Sequence, residues 1–215
     1  MKNKILESIF LPVHPIDLTS PFYEYENRFH TSYYAPIPPG VTQICLTNSS
    51  SSYKMKPGDT MKRIIIFSDT HGNINSCVKV LESIGNVDLI LHLGDTVADA
   101  EDLHACFPQI EMAYVSGNND FFSHAPSQRV VTVDGVSLFL THGHEFYSQE
   151  KIAKQAMKSG CMFALFGHSH VSVYRQEGSV WLLNPGSISR PRDGARSYVV
   201  IEIAPGYAKG CIIKL

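Results

Sequence analysis

The feature that most constrains this chain is a series of short apolar runs, each stopping at a glycine-flanked cluster of aspartate, asparagine or histidine. The run ending at Phe67 gives way to Ser68-Asp69-Thr70-His71-Gly72-Asn73, and Val87 to Leu93 gives way to Gly94-Asp95. The segment 111–116 stops at Gly117-Asn118-Asn119-Asp120. Val136 to Leu140 leads into Thr141-His142-Gly143-His144, and Met162 to Phe166 into Gly167-His168-Ser169-His170. Runs of this length suit buried strands and are far too short to cross a bilayer. In open α/β sheets the carboxyl ends of strands converge on one crevice. Five such ends deliver Asp69, His71, Asp95, Asn118, His142, His168 and His170 to one place.

Around these runs the pattern predicts strands at 63–68, 88–93 and 111–116 alternating with helices near 75–84 and 98–106. Val78, Leu81 and Ile84 form the apolar stripe of the first helix. Such β-α-β units imply a largely parallel sheet. The second half reads differently: a hairpin of strands 129–133 and 136–141 around Asp134-Gly135, a helix near 149–159 and a buried strand at 162–166. Strands at 171–175, 180–184, 197–203 and 209–214 then read as antiparallel. The expected fold class is α/β (α+β): two mixed β-sheets packed face to face with helices outside. Residues 1–60, with seven prolines and the serine run 49–52, form an N-terminal extension, either a flexible or partner-binding arm. One short strand at 41–46 stands out within it, and Met61 reads as an alternative start of the working domain, 61–215.

Bulk composition argues against several classes. The formal net charge of -2 lacks the basic excess of a nucleic-acid binder, and no signal-peptide apolar core develops at the N-terminus. Five cysteines without a C-x-x-C pair argue against a disulfide framework and a zinc-thiolate site, so a cytoplasmic location is expected.

The donor set points to metal chemistry. Residues i and i+2 of an extended segment share a side, so Asp69 with His71, and His168 with His170, can each grip one locality. Seven oxygen and nitrogen donors exceed the four that one zinc takes. They suit two divalent ions about 3.5–4 Å apart sharing a carboxylate. Imidazole mixed with carboxylate and amide favours manganese, with iron, zinc or nickel as alternatives, over magnesium or calcium. The flanking glycines are expected to let the backbone approach a phosphate.

The ordered series D-x-H, G-D, G-N-x-D, T-H-G-H and G-H-S-H, followed by Asn184-Pro185-Gly186-Ser187, resembles the calcineurin-like metallophosphoesterases. The likeness runs from Met61 to Leu215 and is strongest to the small microbial phosphodiesterase branch. The resemblance implies that Asp69, His71, Asp95 and His170 hold one ion. It further implies that Asp95, Asn118, His142 and His168 hold the other, with Asp95 bridging, and that a bridging hydroxide attacks phosphodiesters. Asn118 is also a candidate contact for the substrate phosphate. Many members place a leaving-group acid after the G-N asparagine; here Asn119 stands there and cannot serve as one. Good leaving groups, such as aryl phosphodiesters, or His144 as another acid would compensate.

Blander roles fit the remaining residues. His14, His30, His92, His104 and His124 read as surface or satisfied core histidines, with His92 hydrogen-bonded or packed inside its strand. Asp120 reads as fixing the turn after Asn118, residues 184–187 as a structural turn, and Arg190, Arg192 and Arg196 as a solvated loop or as phosphate contacts. The expected partner is a small phosphodiester, without membrane association and with nucleic acid disfavoured; homo-oligomer formation stays open. The rival class is a scaffold, since the retromer subunit of this fold serves assembly.

Overall fold

The structure, a computed structural model, describes residues 60–215 together with the backbone of 42–46. The other expectations for the first sixty residues lie outside the described residues. Among the described residues, eleven strands form two sheets. One joins β1 (Thr42–Leu46), β11 (Tyr207–Lys214), β10 (Ser197–Ala204), β2 (Lys62–Phe67), β3 (Leu89–His92) and β4 (Glu111–Tyr114), in that order. The other joins β5 (Gln128–Val133), β6 (Val136–Thr141), β7 (Phe163–Leu165), β9 (Val180–Pro185) and β8 (Ser172–Glu177). Helices α1 (Asn75–Ile84), α2 (Val97–Cys106) and α3 (Gln149–Lys158) connect them. The sheets are mixed. β2, β3 and β4 run parallel, as do β6, β7 and β9, while antiparallel strands flank both groups. The expectation that 180–184 pairs only antiparallel is corrected here, because β9 also lies parallel to β7.

Side-chain alternation sorts the core into layers, since successive strand residues point to opposite faces. Ile64, Ile66, Leu89 and Leu91 of the first sheet meet Leu138, Leu140, Phe163 and Leu165 of the second. The intervening residues Ile65, Phe67 and Ile90 turn outward under α1 and α2, where Cys77, Val80, Leu81 and Leu103 cover them. On the far side Phe139, Ala164 and Leu182 lie under Ile152, Ala153 and Ala156 of α3. The buried stripe of α1 is Cys77, Val80 and Leu81, while Val78 and Ile84 pack only at its margin. The resulting order is helices, sheet, sheet, helix.

Local signals set the connections. Asp134 and Gly135 both take positive φ, 46° and 81°, as a two-residue hairpin with right-handed twist requires. Cys211 is disulfide-bonded, which corrects the expectation drawn from cysteine number; the β1–β11 register puts the Cys45 backbone opposite it. Among the described residues no helix is long and apolar enough to cross a membrane.

Candidate metal centre

The carboxyl ends of β2, β3, β4, β6 and β7 carry the seven donors predicted from sequence, and the structure brings them together. His71 Nδ1 lies 2.8 Å from Asp95 Oδ2, and His71 Nε2 lies 3.0 Å from His170 Nε2. His170 Nε2 in turn stands 3.3 Å from Asp69 Oδ1. On the other side, Asn118 Oδ1 is 2.9 Å from His142 Nε2 and 3.1 Å from His168 Nδ1. Donor atoms of Asp69, His71 and His170 lie within 4.8 Å of one another, as do those of Asp69, Asp95 and His142. Asp69 therefore belongs to both triads, and Asp95 links His71 of the first to His142 of the second.

The tautomers explain why these contacts suit cations. His142 Nδ1 lies 2.8 Å from the Leu93 carbonyl and His170 Nδ1 lies 2.7 Å from the Arg190 carbonyl, so each Nδ1 carries the proton. His142 Nε2 then presents a lone pair to Asn118 Oδ1, while His170 Nε2 faces His71 Nε2 at 3.0 Å. Acceptors held face to face repel unless a positive charge lies between them. Asp69 Oδ1 is buried and receives no hydrogen bond, its approach to His170 lacking the required alignment. A buried carboxylate oxygen left this way is costly without a cation. Burial also pushes the His142 and His168 imidazoles below their ordinary pKa, favouring the neutral form that ligates metal. His170 is shifted the other way, raised chiefly by the close approach of the Asp69 carboxylate despite partial burial. The donor set fits divalent metal.

Backbone strain is concentrated here. Among the described non-glycine residues, six have positive φ, and five of them are Asp69, His71, Asp95, His168 and His170 at 57°, 49°, 88°, 65° and 58°. Such conformations cost about 1–3 kcal/mol each and persist where surrounding structure over-determines them. The idea that D-x-H and H-x-H are extended is thus corrected: their side chains converge because each ligand sits in a left-handed kink.

Two glycines make the convergence possible. A Cβ on Gly117 would lie 2.3 Å from the backbone nitrogen of Asp95, and one on Gly167 would lie 2.0 Å from Ser68 Oγ. The close approach is between neighbouring strand-end loops.

Hydrogen bonds behind the ligands hold the loops. Asp69 Oδ2 accepts from Ser68 Oγ at 2.7 Å and from the His168 N–H at 3.1 Å. Asn119, predicted only as a missing acid, donates its amide to Asp95 Oδ1 at 2.8 Å. Asp120 accepts the Gly117 N–H and the Val97 N–H, both at 2.7 Å, so it fixes the turn as expected and also caps α2. The 184–187 turn contributes as well: Asn184 Nδ2 donates to the Gly167 carbonyl at 2.8 Å and Ser187 Oγ to the Asp69 carbonyl at 2.7 Å.

Sequence reasoning missed a buried relay. The Gly94 N–H donates to His92 Nδ1 at 3.3 Å, and His92 Nε2 lies 3.1 Å from Thr70 Oγ1. Thr70 Oγ1 donates to Asp99 Oδ2 at 2.5 Å, and the Gly72 N–H donates to the same oxygen at 2.8 Å. Because the carboxylate only accepts, the Thr70 proton points to Asp99, and His92 must donate through Nε2. Burial drives the His92 pKa down to about 4, which keeps the ring neutral in this role. The relay ties the loop of Asp69 and His71 to that of Asp95. His92 was legible as a strand histidine, but Asp99 carried no motif.

His144 stands beside the ligands, its ring 5.4 Å from that of His142 and 6.2 Å from that of His168, with a buried Nδ1 lacking a partner. Arg190 and Arg192 are exposed at the site's edge, whereas Arg196 contacts Ser76 Oγ at 3.3 Å.

Comparison with known proteins agrees with this geometry. Residues 61–206 match the calcineurin-like phosphoesterase superfamily domain. A probable metallophosphoesterase of Mycoplasma pneumoniae is 28% identical over 156 residues, covering 68% of this chain and 92% of its own. Phosphodiesterase YfcE of Escherichia coli K12 is 28% identical over 160 residues, covering 62% and 83%. Among solved structures, a conserved uncharacterized protein of Streptococcus pneumoniae TIGR4, a predicted phosphoesterase, superposes with TM-score 0.56 at 28% identity, covering 70% of this chain and 97% of its own. Vps29 of Chaetomium thermophilum shares the fold at 20% identity, TM-score 0.57, covering 66% and 81%.

Proposed function

Because the chain belongs to the calcineurin-like phosphoesterase superfamily, we propose that it is a phosphodiesterase working with two divalent cations, manganese first among them. The observation that carries the reading is the lone pair of His142 facing Asn118 Oδ1 across the strand ends, beside the unpartnered buried oxygen of Asp69. Asp69, His71, Asp95 and His170 would hold one cation, and Asp95, Asn118, His142 and His168 the other. When bound, such a pair lowers the pKa of a water and neutralises phosphoryl charge.

The chain's own residues set the rest. Asp69 Oδ2 is fixed by Ser68 and the His168 N–H, which leaves Oδ1 free for a ligand. Asn119 holds Asp95 rather than a leaving group, so it supplies no proton. His144, tilted against the rings of His142 and His168, is the candidate donor to the leaving oxygen, and its absence would be felt most with poor leaving groups. Phosphodiesters with acidic leaving alcohols or phenols are therefore the preferred class over monoesters.

The test is hydrolysis of bis-p-nitrophenyl phosphate by metal-free protein titrated with manganese, against p-nitrophenyl phosphate under the same conditions. Manganese-dependent turnover with the diester preferred is expected. Inactivity with every divalent metal would sink the proposal and return the chain to a scaffold role.

A further inference from the structure

The loop that follows Asn118 carries two adjacent phenylalanines, Phe121 and Phe122, which are 84% and 97% exposed. Paired phenyl rings left this bare mark a binding surface rather than packing. The loop beneath them is firmly held. Asp120 ties it to Gly117 and Val97, the Ser123 N–H donates to the Asp120 carbonyl at 3.1 Å, and the Ser116 N–H closes its base on the Pro126 carbonyl at 3.0 Å. The rings are thus presented on an ordered support.

They line a cleft of about 870 Å³ with Met112, Tyr114, Pro126 and Asn119. Asn119 is the link to the metal centre: it forms part of the cleft wall while its Nδ2 sits 2.8 Å from Asp95 Oδ1. Asn119 therefore stands between the cleft and the candidate metal centre, and the cleft's volume suits a ring-bearing group.

We propose that the cleft beside Phe121 and Phe122 is a substrate subsite that takes a planar aromatic arm of the phosphodiester, an aryl or nucleoside group stacked on the phenyl rings. The inference rests on the phosphodiesterase reading and specifies the substrate class of that site. Aromatic faces accept planar rings with little demand on sequence or substituent. The modest charge of the cleft, which includes Arg129 and Glu101, leaves stacking as the main source of selectivity.

Three diesters with one leaving group test it: methyl p-nitrophenyl phosphate, bis-p-nitrophenyl phosphate and thymidine 5′-(p-nitrophenyl phosphate). The readout is the ratio of kcat/KM for each ring-bearing diester to that for the methyl diester. In the double variant F121A/F122A at least one of these ratios should fall by about fivefold or more, the low end for a base stacked on an aromatic side chain. A fall confined to the thymidine ratio identifies a nucleoside, and one confined to the nitrophenyl ratio a simple aryl group. Ratios equal to those of the unmodified chain would overturn the subsite, even with the phosphodiesterase reading intact. Should no diester be hydrolysed, that reading fails separately, and calorimetry with manganese-loaded protein still decides the subsite. Thymidine 5′-monophosphate should bind more tightly than methyl phosphate, and the double variant should lose the difference; equal affinities in the unmodified chain would overturn it.

Discussion

His142 Nε2 and Asn118 Oδ1 face each other at 2.9 Å, and neither atom carries a proton, because the Leu93 carbonyl holds the other nitrogen of the ring in its protonated state. His170 Nε2 and His71 Nε2 also lie 3.0 Å apart, with His170 Nδ1 on the Arg190 carbonyl. These lone pairs, together with the unpartnered oxygen of Asp69, make the centre a place where removing one donor has a large effect.

Replacing Asp95 by Ala should abolish binding of at least one manganese per chain and reduce diester hydrolysis by more than about 100-fold, beyond the range seen for residues that only orient ligands. Elemental analysis of dialysed protein beside the rate measurement checks it. Full metal content in the variant would contradict the bridging position.

The relay behind the ligands predicts a graded series at Thr70. Thr70→Val removes the hydroxyl that joins His92 to Asp99, and metal affinity should fall by about 10–100-fold. Thr70→Ser keeps the hydroxyl and should restore most of that loss. Calorimetric titration with manganese separates the two, and equal affinities for both variants would show that the relay does not orient the loop.

Gly117→Ala should destabilise the fold, since the added Cβ would lie 2.3 Å from the Asp95 nitrogen, whose loop is rigid backbone. Overpacking of this kind costs about 1–3 kcal/mol or more. Denaturant unfolding measures it, and an unchanged midpoint would mean that the two loops separate freely.

His92 gives the stability a defined pH dependence. Its pKa falls from 6.5 to about 4 on burial, so between these values the unfolded chain binds a proton that the folded chain refuses. Stability therefore drops as pH falls from 6.5 toward 4, by about 3 kcal/mol in total for this residue, and it contributes no further loss below that. Unfolding free energies at pH 7 and pH 4.5 for the chain and for His92→Gln check the sign: the variant should lose less stability on acidification.

The strands were legible because alternation and apolar runs report burial directly. Ile64 and Ile66 on one face and Ile65 and Phe67 on the other follow from period two alone, and both faces were buried as a continuous run predicts. The seven donors were legible because each ends such a run. Asp99 was not, because a lone acidic residue in a helix gives no sign that its carboxylate faces a loop 27 positions earlier. Asn119 was read only for the proton it lacks, since its partner Asp95 lies 24 positions away in sequence.

By itself the sequence determined the two-sheet layering and singled out the candidate donors, since both depend on local periodicity and on which side chains follow a strand. Only the tertiary structure decided how those donors are aimed. Orientation arises from left-handed kinks at Asp69, His71, Asp95, His168 and His170, from glycines packed against neighbouring loops, and from carbonyls that fix each imidazole tautomer. The glycine and carbonyl contacts join segments far apart in the chain, and kinks at residues that ordinarily avoid positive φ are encoded by no local pattern.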